Sequence, residues 1–304
     1  MLTYIIKDIK GKETEFKKPV SVNIVSSEDA PADSLYAVFA VSGAVPVLEG
    51  IEVLEGSERI FRGKIDSQTI EKNNKGLLLT VKARSIECVL LDNEALPQTY
   101  CMPSMPLLMK RHFEPLGFYD FVGTEKAFNG ELNITKGMSE WGVLSAFCRH
   151  FMNTVPRIDR NGAINITGEE SKEIVYLSSD RCLSVKNTLT RSNLISDIYA
   201  RTYTAGGYEM PLENEFAKSL GVKRIRYVNS IDSESRTVLS TKEMITKSKN
   251  QYERIEIECT GCVLCERGAK LVLDNKDRNI RVKEIHYTLD GNGERTKIYS
   301  EVRY

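Results

Sequence analysis

The chain has 304 residues, 41% hydrophobic and 28% charged, which is an ordinary folded composition with length for two or three packing units. Lys plus Arg and Asp plus Glu number 42 each, so no net field draws it to nucleic acid or an anionic membrane, and no apolar run nears the ~20 residues of a bilayer span. The start, "MLTYIIKDIKGKETEF", lacks the basic, apolar and cleavage regions of a signal peptide, and seven widely spread cysteines then read as reduced thiols made in a cytosol.

From residue 1 to 84 the pattern predicts short strands: Leu2 to Ile6, Val20 to Val25, Leu35 to Val41, Ile51 to Leu54 and Ile60 to Ile65. Clusters such as "SSEDAPADS" and "LEGSER" separate them, and "KGLLLTVKARS" follows the polar turn "EKNNKG". "IEVLEGSERIFRGKID" reads as one hairpin around a Gly-Ser-Glu turn. Strands this short and closely spaced predict a small antiparallel barrel or sandwich.

From 85 to 180 helices enter, predicting an α+β module. "SIECVLLDNEA" carries Ile86, Val89 and Leu90 on one helical face, and a short helix is expected near Leu107 to Phe113. The clearest helix lies in "TKGMSEWGVLSAFCRHFMN", with Ser139 as N-cap and a stripe of Trp141, Leu144, Phe147, Cys148 and Phe151. Strands at Thr154 to Ile158 and Ala163 to Ile166 flank the turn "DRNG". From 181 to 304 strands return in "LISDIYARTYTA", "RIRYVN", "RIEIECTG", "AKLVLDN" and "RVKEIHYTL". "STKEMITKSKNQYE" reads as a helix capped by Ser240 or Thr241, and "LDGNGERTK" as a hairpin turn.

Cys259, Cys262 and Cys265 form a C-x2-C-x2-C run, the sharpest chemical motif in the chain. Such a run opens an iron–sulfur or zinc site, yet here it continues as "ERGAKL" without a fourth ligand. His286 is the nearest imidazole in sequence and Cys182 a distant alternative; with either, three thiolates would complete a tetrahedral set. Cysteine is also a small buried hydrophobe, and structural thiols with no metal and no cofactor are the favoured reading. A Cys-rich metal-binding redox or sensor protein remains the alternative.

The other candidates read as structural. His112 and His150 follow basic residues on helices and are expected at the surface or half-buried, with no motif around them. Glu169 and Glu170 sit in a turn-like, solvated stretch, and "AGGYEM" is a Gly pair without a phosphate-binding helix. The run "KRIRY" alternates, which puts its charges on one solvent face of a strand. The Trp141 stripe is core. No catalytic residue emerges, and no enzyme is expected.

Several segments resemble, in order, a known family. "PADSLYAVFAV", "VLEGSERIFRGKID", "KARSIECVLLDNEALPQTY", "ITKGMSEWGVLSAFC" and the terminal "VKEIHYTLDGNGERTKIY" resemble the baseplate hubs of phage tails, the late control protein D or T-even hub-like family. The resemblance spans most of the chain, and is nearest to hubs of contractile-tail prophages and phage-tail-like bacteriocins. It implies two β-barrel tube domains, 1–84 and 181–304, flanking the 85–180 insertion. It also implies a homotrimer whose pseudo-hexameric ring joins the six-fold tail tube to the three-fold spike. The partners implied are tail tube, spike and other baseplate proteins, with DNA or a tape-measure protein only passing through the lumen. The place implied is a virion or tail-like particle, assembled from protein made in the bacterial cytoplasm without stable membrane association. Family members carry an apolar, Gly/Pro-containing turn where this chain has "ECTGCVLCERGAKL". A glycan- or receptor-binding tail module is the second alternative, and it predicts exposed aromatic platforms.

Overall fold

The computed structural model describes residues 2–28, 31–74, 76–201, 207–208, 210–229 and 234–304. The chain is mainly β, with 49% of residues in strands and 18% in helices. It divides into two compact units, Met1–Ser171 with Ile285–Arg295, and Lys172–Glu284 with Thr296–Tyr304.

The first unit begins with β1 (Leu2–Asp8), β2 (Glu13–Phe16), β3 (Pro19–Ser27), β4 (Ser34–Val41), β5 (Leu48–Glu55), β6 (Glu58–Asn73) and β7 (Gly76–Ser85). They pair antiparallel in the order β3-β4-β7-β6-β5-β1-β2. Alternation sets the register: Tyr4 and Ile6 on β1, Val22 and Ile24 on β3, Leu35, Ala37 and Phe39 on β4, and Leu79, Val81 and Ala83 on β7 are all buried. Tyr4 meets Phe39 edge-on at 5.6 Å between ring centroids. The five expected strands and the "KGLLLTVKARS" strand are present, and the alternating start "MLTYIIKDIKGKETEF" folds as two strands, β1 and β2, rather than one. In the β5–β6 hairpin Glu55 pairs with Glu58, so the turn is Gly56-Ser57 and Glu58 belongs to the strand. Gly56 holds φ +62°, the left-handed region a glycine enters without steric cost.

The helical part of this unit contains α1 (Cys88–Asp92), β8 (Gln98–Cys101), α2 (Met105–Leu108), β9 (Phe121–Val122), β10 (Glu131–Ile134), α3 (Glu140–Phe147), β11 (Arg157–Ile158) and β12 (Ile164–Asn165). Ser139 caps α3 as expected, its hydroxyl accepting from the Gly142 amide at 3.1 Å. Leu144, Phe147 and Cys148 are fully buried, with Trp141 and Phe151 packed partly against them. The helix expected near Leu107 to Phe113 starts earlier, as α2, and continues as a π-helical turn, Met109–Phe113. The Arg84 guanidinium ties β7 to β6 and α1: it donates to Asp66 at 2.7 and 2.9 Å and to Asp92 at 2.9 and 2.7 Å. Those hydrogen bonds hold the Arg84 pKa above its ordinary value.

The second unit contains β13 (Ile174–Leu177), β14 (Cys182–Leu189), β15 (Asp197–Ala200), β16 (Met210–Glu213), α4 (Glu215–Ser219), β17 (Ile225–Val228), α5 (Glu234–Asn250), β18 (Glu253–Thr260) and β19 (Lys270–Leu273). A long C-terminal hairpin follows, β20 (Lys276–Asp290) and β21 (Gly293–Val302), whose turn end belongs to the first unit. The main order is β14-β18-β21-β20, with β19 beside β20 and β13 beside β19. β15 lies between β16 and β17 in a separate small sheet. Ser240 and Thr241 do not cap the helix: α5 already runs from Glu234, and Thr241 is buried within it. The end of "LISDIYARTYTA" and part of "AGGYEM" lie outside the described residues.

At Gly63 on β6 a Cβ would stand 2.2 Å from the Arg84 carbonyl oxygen and 2.7 Å from the Phe61 ring. Backbone cannot yield cheaply there, so Gly63→Ala should lower unfolding stability by about 1–3 kcal/mol in urea titration. An unchanged midpoint would contradict the close approach.

Candidate functional site

The edge of the second unit exposes apolar side chains in an ordered row. Among the described residues β14 pairs with β18 alone and β13 with β19 alone. Directly opposed residues of an antiparallel pair point the same way. The β14–β18 register sets Val185 opposite Ile257, Asn187 opposite Ile255 and Leu189 opposite Glu253. Ile255 and Ile257 are buried, whereas Val185 is 39% and Leu189 59% exposed. The core-facing side of the sheet therefore reaches solvent at β14. Its other face is an ordinary polar surface, where Lys186 pairs with Glu256 at 3.3 Å. Ile174 and Tyr176 add exposed apolar area on β13.

Glu253 secures this edge from within. It is 3% exposed and accepts from Asn187 at 2.7 Å, Arg278 at 2.6 Å and the Tyr304 hydroxyl at 2.5 Å. Burial pushes its pKa upward, but the hydrogen bonds from Tyr304, Asn187 and Arg278 outweigh it and hold the carboxylate below its ordinary range. The same contact raises the Tyr304 pKa, after burial. One carboxylate thus joins β14, β18, β20 and the C-terminal residue.

The cysteine motif is dispersed by its backbone. Cys259, next to the last residue of β18, faces Cys182 on β14, with 3.5 Å between the sulfurs. Cys262 and Cys265 follow in the loop before β19, the former half-buried and the latter buried. His286 is half-buried on the part of β20 that belongs to the first unit. Among the described residues no three of His, Cys, Asp or Glu gather into a metal-holding group. Thus the structure joins Cys259 with Cys182, not with a set of four ligands.

His112 departs from expectation. It is 3% exposed, inside the helical part of the first unit, not at the surface. Its Nδ1 lies 2.7 Å from Glu140 Oε2 and its Nε2 2.9 Å from the Tyr100 hydroxyl. A carboxylate accepts, so Nδ1–H donates to Glu140 and Nε2 accepts from Tyr100. Arg111 stands 5.5 Å from the Tyr100 ring centroid. Both ring nitrogens are thus engaged within the core. Sequence spacing hid it, because the partners lie 12 residues before and 28 after His112. His150 is exposed as expected. Glu169 is exposed and Glu170 half-buried.

"KRIRY" is not a single solvated charge face. Arg224 turns back and donates to the backbone carbonyls of Arg191, Ser192 and Leu194, tying β17 to the turn before β15. Arg226 is exposed. In the same small sheet Tyr199 and Tyr227 stack at 5.7 Å, and Tyr208 meets Tyr227 edge-on at 5.3 Å. Tyr227 is 65% exposed, so this is an aromatic surface.

Two substitutions test these buried polar groups. Glu140→Ala leaves the His112 ring without its acceptor and should cost about 1–3 kcal/mol in urea unfolding. Glu253→Gln should cost about as much at neutral pH, by leaving Arg278 poorly paired. Because the folded carboxylate has the lower pKa, its stabilisation is full above the unfolded value of ~4.3 and fades as pH falls through the folded value. The gap between wild type and Glu253→Gln should therefore narrow in acid, and a pH-independent gap would contradict the assignment.

No family model matches this chain. No curated protein matches it in sequence. Its fold, however, is found in solved tail proteins. The 43 kDa tail protein of prophage MuSo2 from Shewanella oneidensis superposes with a TM-score of 0.83 at 15% identity, covering 100% of this chain and 98% of that one. A tail protein from Neisseria meningitidis MC58 gives 0.75 at 15% identity, covering 99% and 96%. A component of the Escherichia coli type VI secretion system, described as structurally similar to the T4 bacteriophage tail proteins gp27 and gp5, gives 0.60 at 7% identity, covering 94% and 74%. The fold is that of phage-tail-type proteins over the whole chain.

Proposed function

We propose that this chain is the baseplate hub of a contractile tail or tail-like particle, a structural adaptor without catalytic activity. In this reading three copies form a ring, with 1–84 and 181–304 as tube domains and 85–180 as the outer module. One face of the ring receives the six-fold tail tube and the other the three-fold spike. The observation that carries the proposal is the superposition on a prophage tail protein over 100% of this chain and 98% of the other. The β14 edge supports it. Val185 and Leu189 occupy core-facing positions yet stay 39% and 59% exposed, as expected where a neighbouring subunit completes a sheet. The balanced charge of 42 basic and 42 acidic residues suits a channel through which DNA or protein passes without sticking.

A second reading has one observation in its favour. The Tyr199–Tyr208–Tyr227 surface presents flat rings to solvent, the kind of platform a glycan- or receptor-binding tail module uses. It predicts that Tyr227→Ala loses binding to host cell-wall glycan while oligomeric state is unchanged.

Sedimentation velocity tests the hub reading. The wild type should sediment at three times the 34.3 kDa chain mass, and electron micrographs should show a ring with a central hole. Val185→Asp combined with Leu189→Asp should yield monomers with an unchanged far-ultraviolet circular dichroism spectrum. A wild type that is strictly monomeric and binds neither tube nor spike protein would overturn the proposal.

A further inference from the structure

We propose that Cys182 and Cys259 are a disulfide-forming pair, a modification site that staples the open β14 edge to β18 when the protein meets a disulfide oxidant. The register sets the two residues directly opposite each other, and their sulfurs are 3.5 Å apart. Directly opposed residues of an antiparallel pair have Cα atoms ~4.5–5.5 Å apart, inside the ~4.4–6.8 Å range a disulfide accepts. The sulfurs need to close by only about 1.5 Å to reach bonding distance. The register shift between Cys182 and Ser184 provides local slack for that movement. Among the described residues no other two cysteines share a strand register, and none of the seven is already in a disulfide.

Access orders the chemistry. Cys182 is half-buried and reachable, whereas Cys259 is 5% exposed. Burial, with Cys182 beside it, pushes the Cys259 thiol up to about 12, so it is the slower nucleophile. Cys182 loses its proton to solvent and its sulfur attacks one sulfur of a small disulfide such as oxidised glutathione. A protein–glutathione S–S bond forms, the original S–S bond breaks, and one glutathione leaves as thiolate and takes up a proton. Cys259 then loses its proton and attacks Cys182 Sγ; the internal S–S bond forms and the second glutathione leaves as a thiol. Two protein thiols are oxidised and one small disulfide is reduced to two thiols. The new bond closes a sequence separation of 77 residues and fixes the end of β14 remote from the Asn187–Glu253 contact.

The experiment incubates the full chain with oxidised glutathione under native conditions. The expected protein loses two of its seven thiols and weighs two hydrogens less. Its digest contains a peptide pair joined through Cys182 and Cys259, and its melting temperature rises by ~5 °C or more, reversed by dithiothreitol. Cys182→Ser and Cys259→Ser should each fail to form an internal link. Both thiols remaining free, Cys182 stopping at a glutathione adduct, or a link through Cys262 or Cys265 overturns the pairing. A Cys182–Cys259 link that leaves the melting temperature unchanged overturns the stapling role. Because the hub proposal covers the β14 edge that carries Cys182, the incubation is run on the wild type and on the Val185→Asp/Leu189→Asp chain, and linkage in the latter separates the pairing from the fate of the hub proposal.

Discussion

A β-strand sends backbone hydrogen bonds to both sides, and an outer row that ends in neither protein nor water is costly. The edges of this chain meet that constraint in different ways. β2 is four residues long, with Glu13 and Glu15 exposed, a short charged edge that discourages further pairing. Where β5 begins, the Gln68 side chain takes over, accepting from the Leu48 amide at 2.7 Å and donating to the Pro46 carbonyl at 3.0 Å. β14 is a longer edge, eight residues, and although Lys186 charges its polar face, its core-facing Val185 and Leu189 are open.

The sheets were legible because period-two alternation survives even in short strands. Leu35, Ala37 and Phe39 alternate in sequence and are buried together in the fold. Ser139 announced the start of α3 because a cap is a local interaction. β2 did not stand apart from β1 in the sequence because "ETEF" buries almost nothing, and a charged edge strand has no hydrophobic period of its own. The beginning of α5 was misplaced for a related reason. Ser240 and Thr241 have the chemistry of caps, but nothing local prevents a polar residue from sitting within a long helix when tertiary packing covers it, as it covers Thr241.

Candidate sites were less legible, since they depend on distance across the chain. The C-x2-C-x2-C spacing gathers thiolates only when a tight turn carries all three. Here the first cysteine is on an extended strand and looks across to Cys182. Glu253 offered no motif at all; its importance comes from Asn187, Arg278 and Tyr304, which converge from three separate segments. His112 shows the same thing in the helical part, where a basic run disguised a residue enclosed by Tyr100 and Glu140. Arg224 shows it once more, since alternation alone cannot reveal that a cation turns inward to bind carbonyls.

The C-terminal hairpin has a consequence for the order of events in folding. Its turn end, Ile285–Arg295, belongs to the unit that otherwise consists of Met1–Ser171. A ribosome that has finished that first stretch has not supplied all the strands of the unit, and more than a hundred residues must follow before it does. β14 likewise waits for β18, with Asn187 and Glu253 separated by 66 positions. Closing such long loops is slow compared with forming a local hairpin. Synthesis from one end therefore leaves both units unfinished until the last strands emerge. The final hairpin is thus the segment that supplies the last strands of both units.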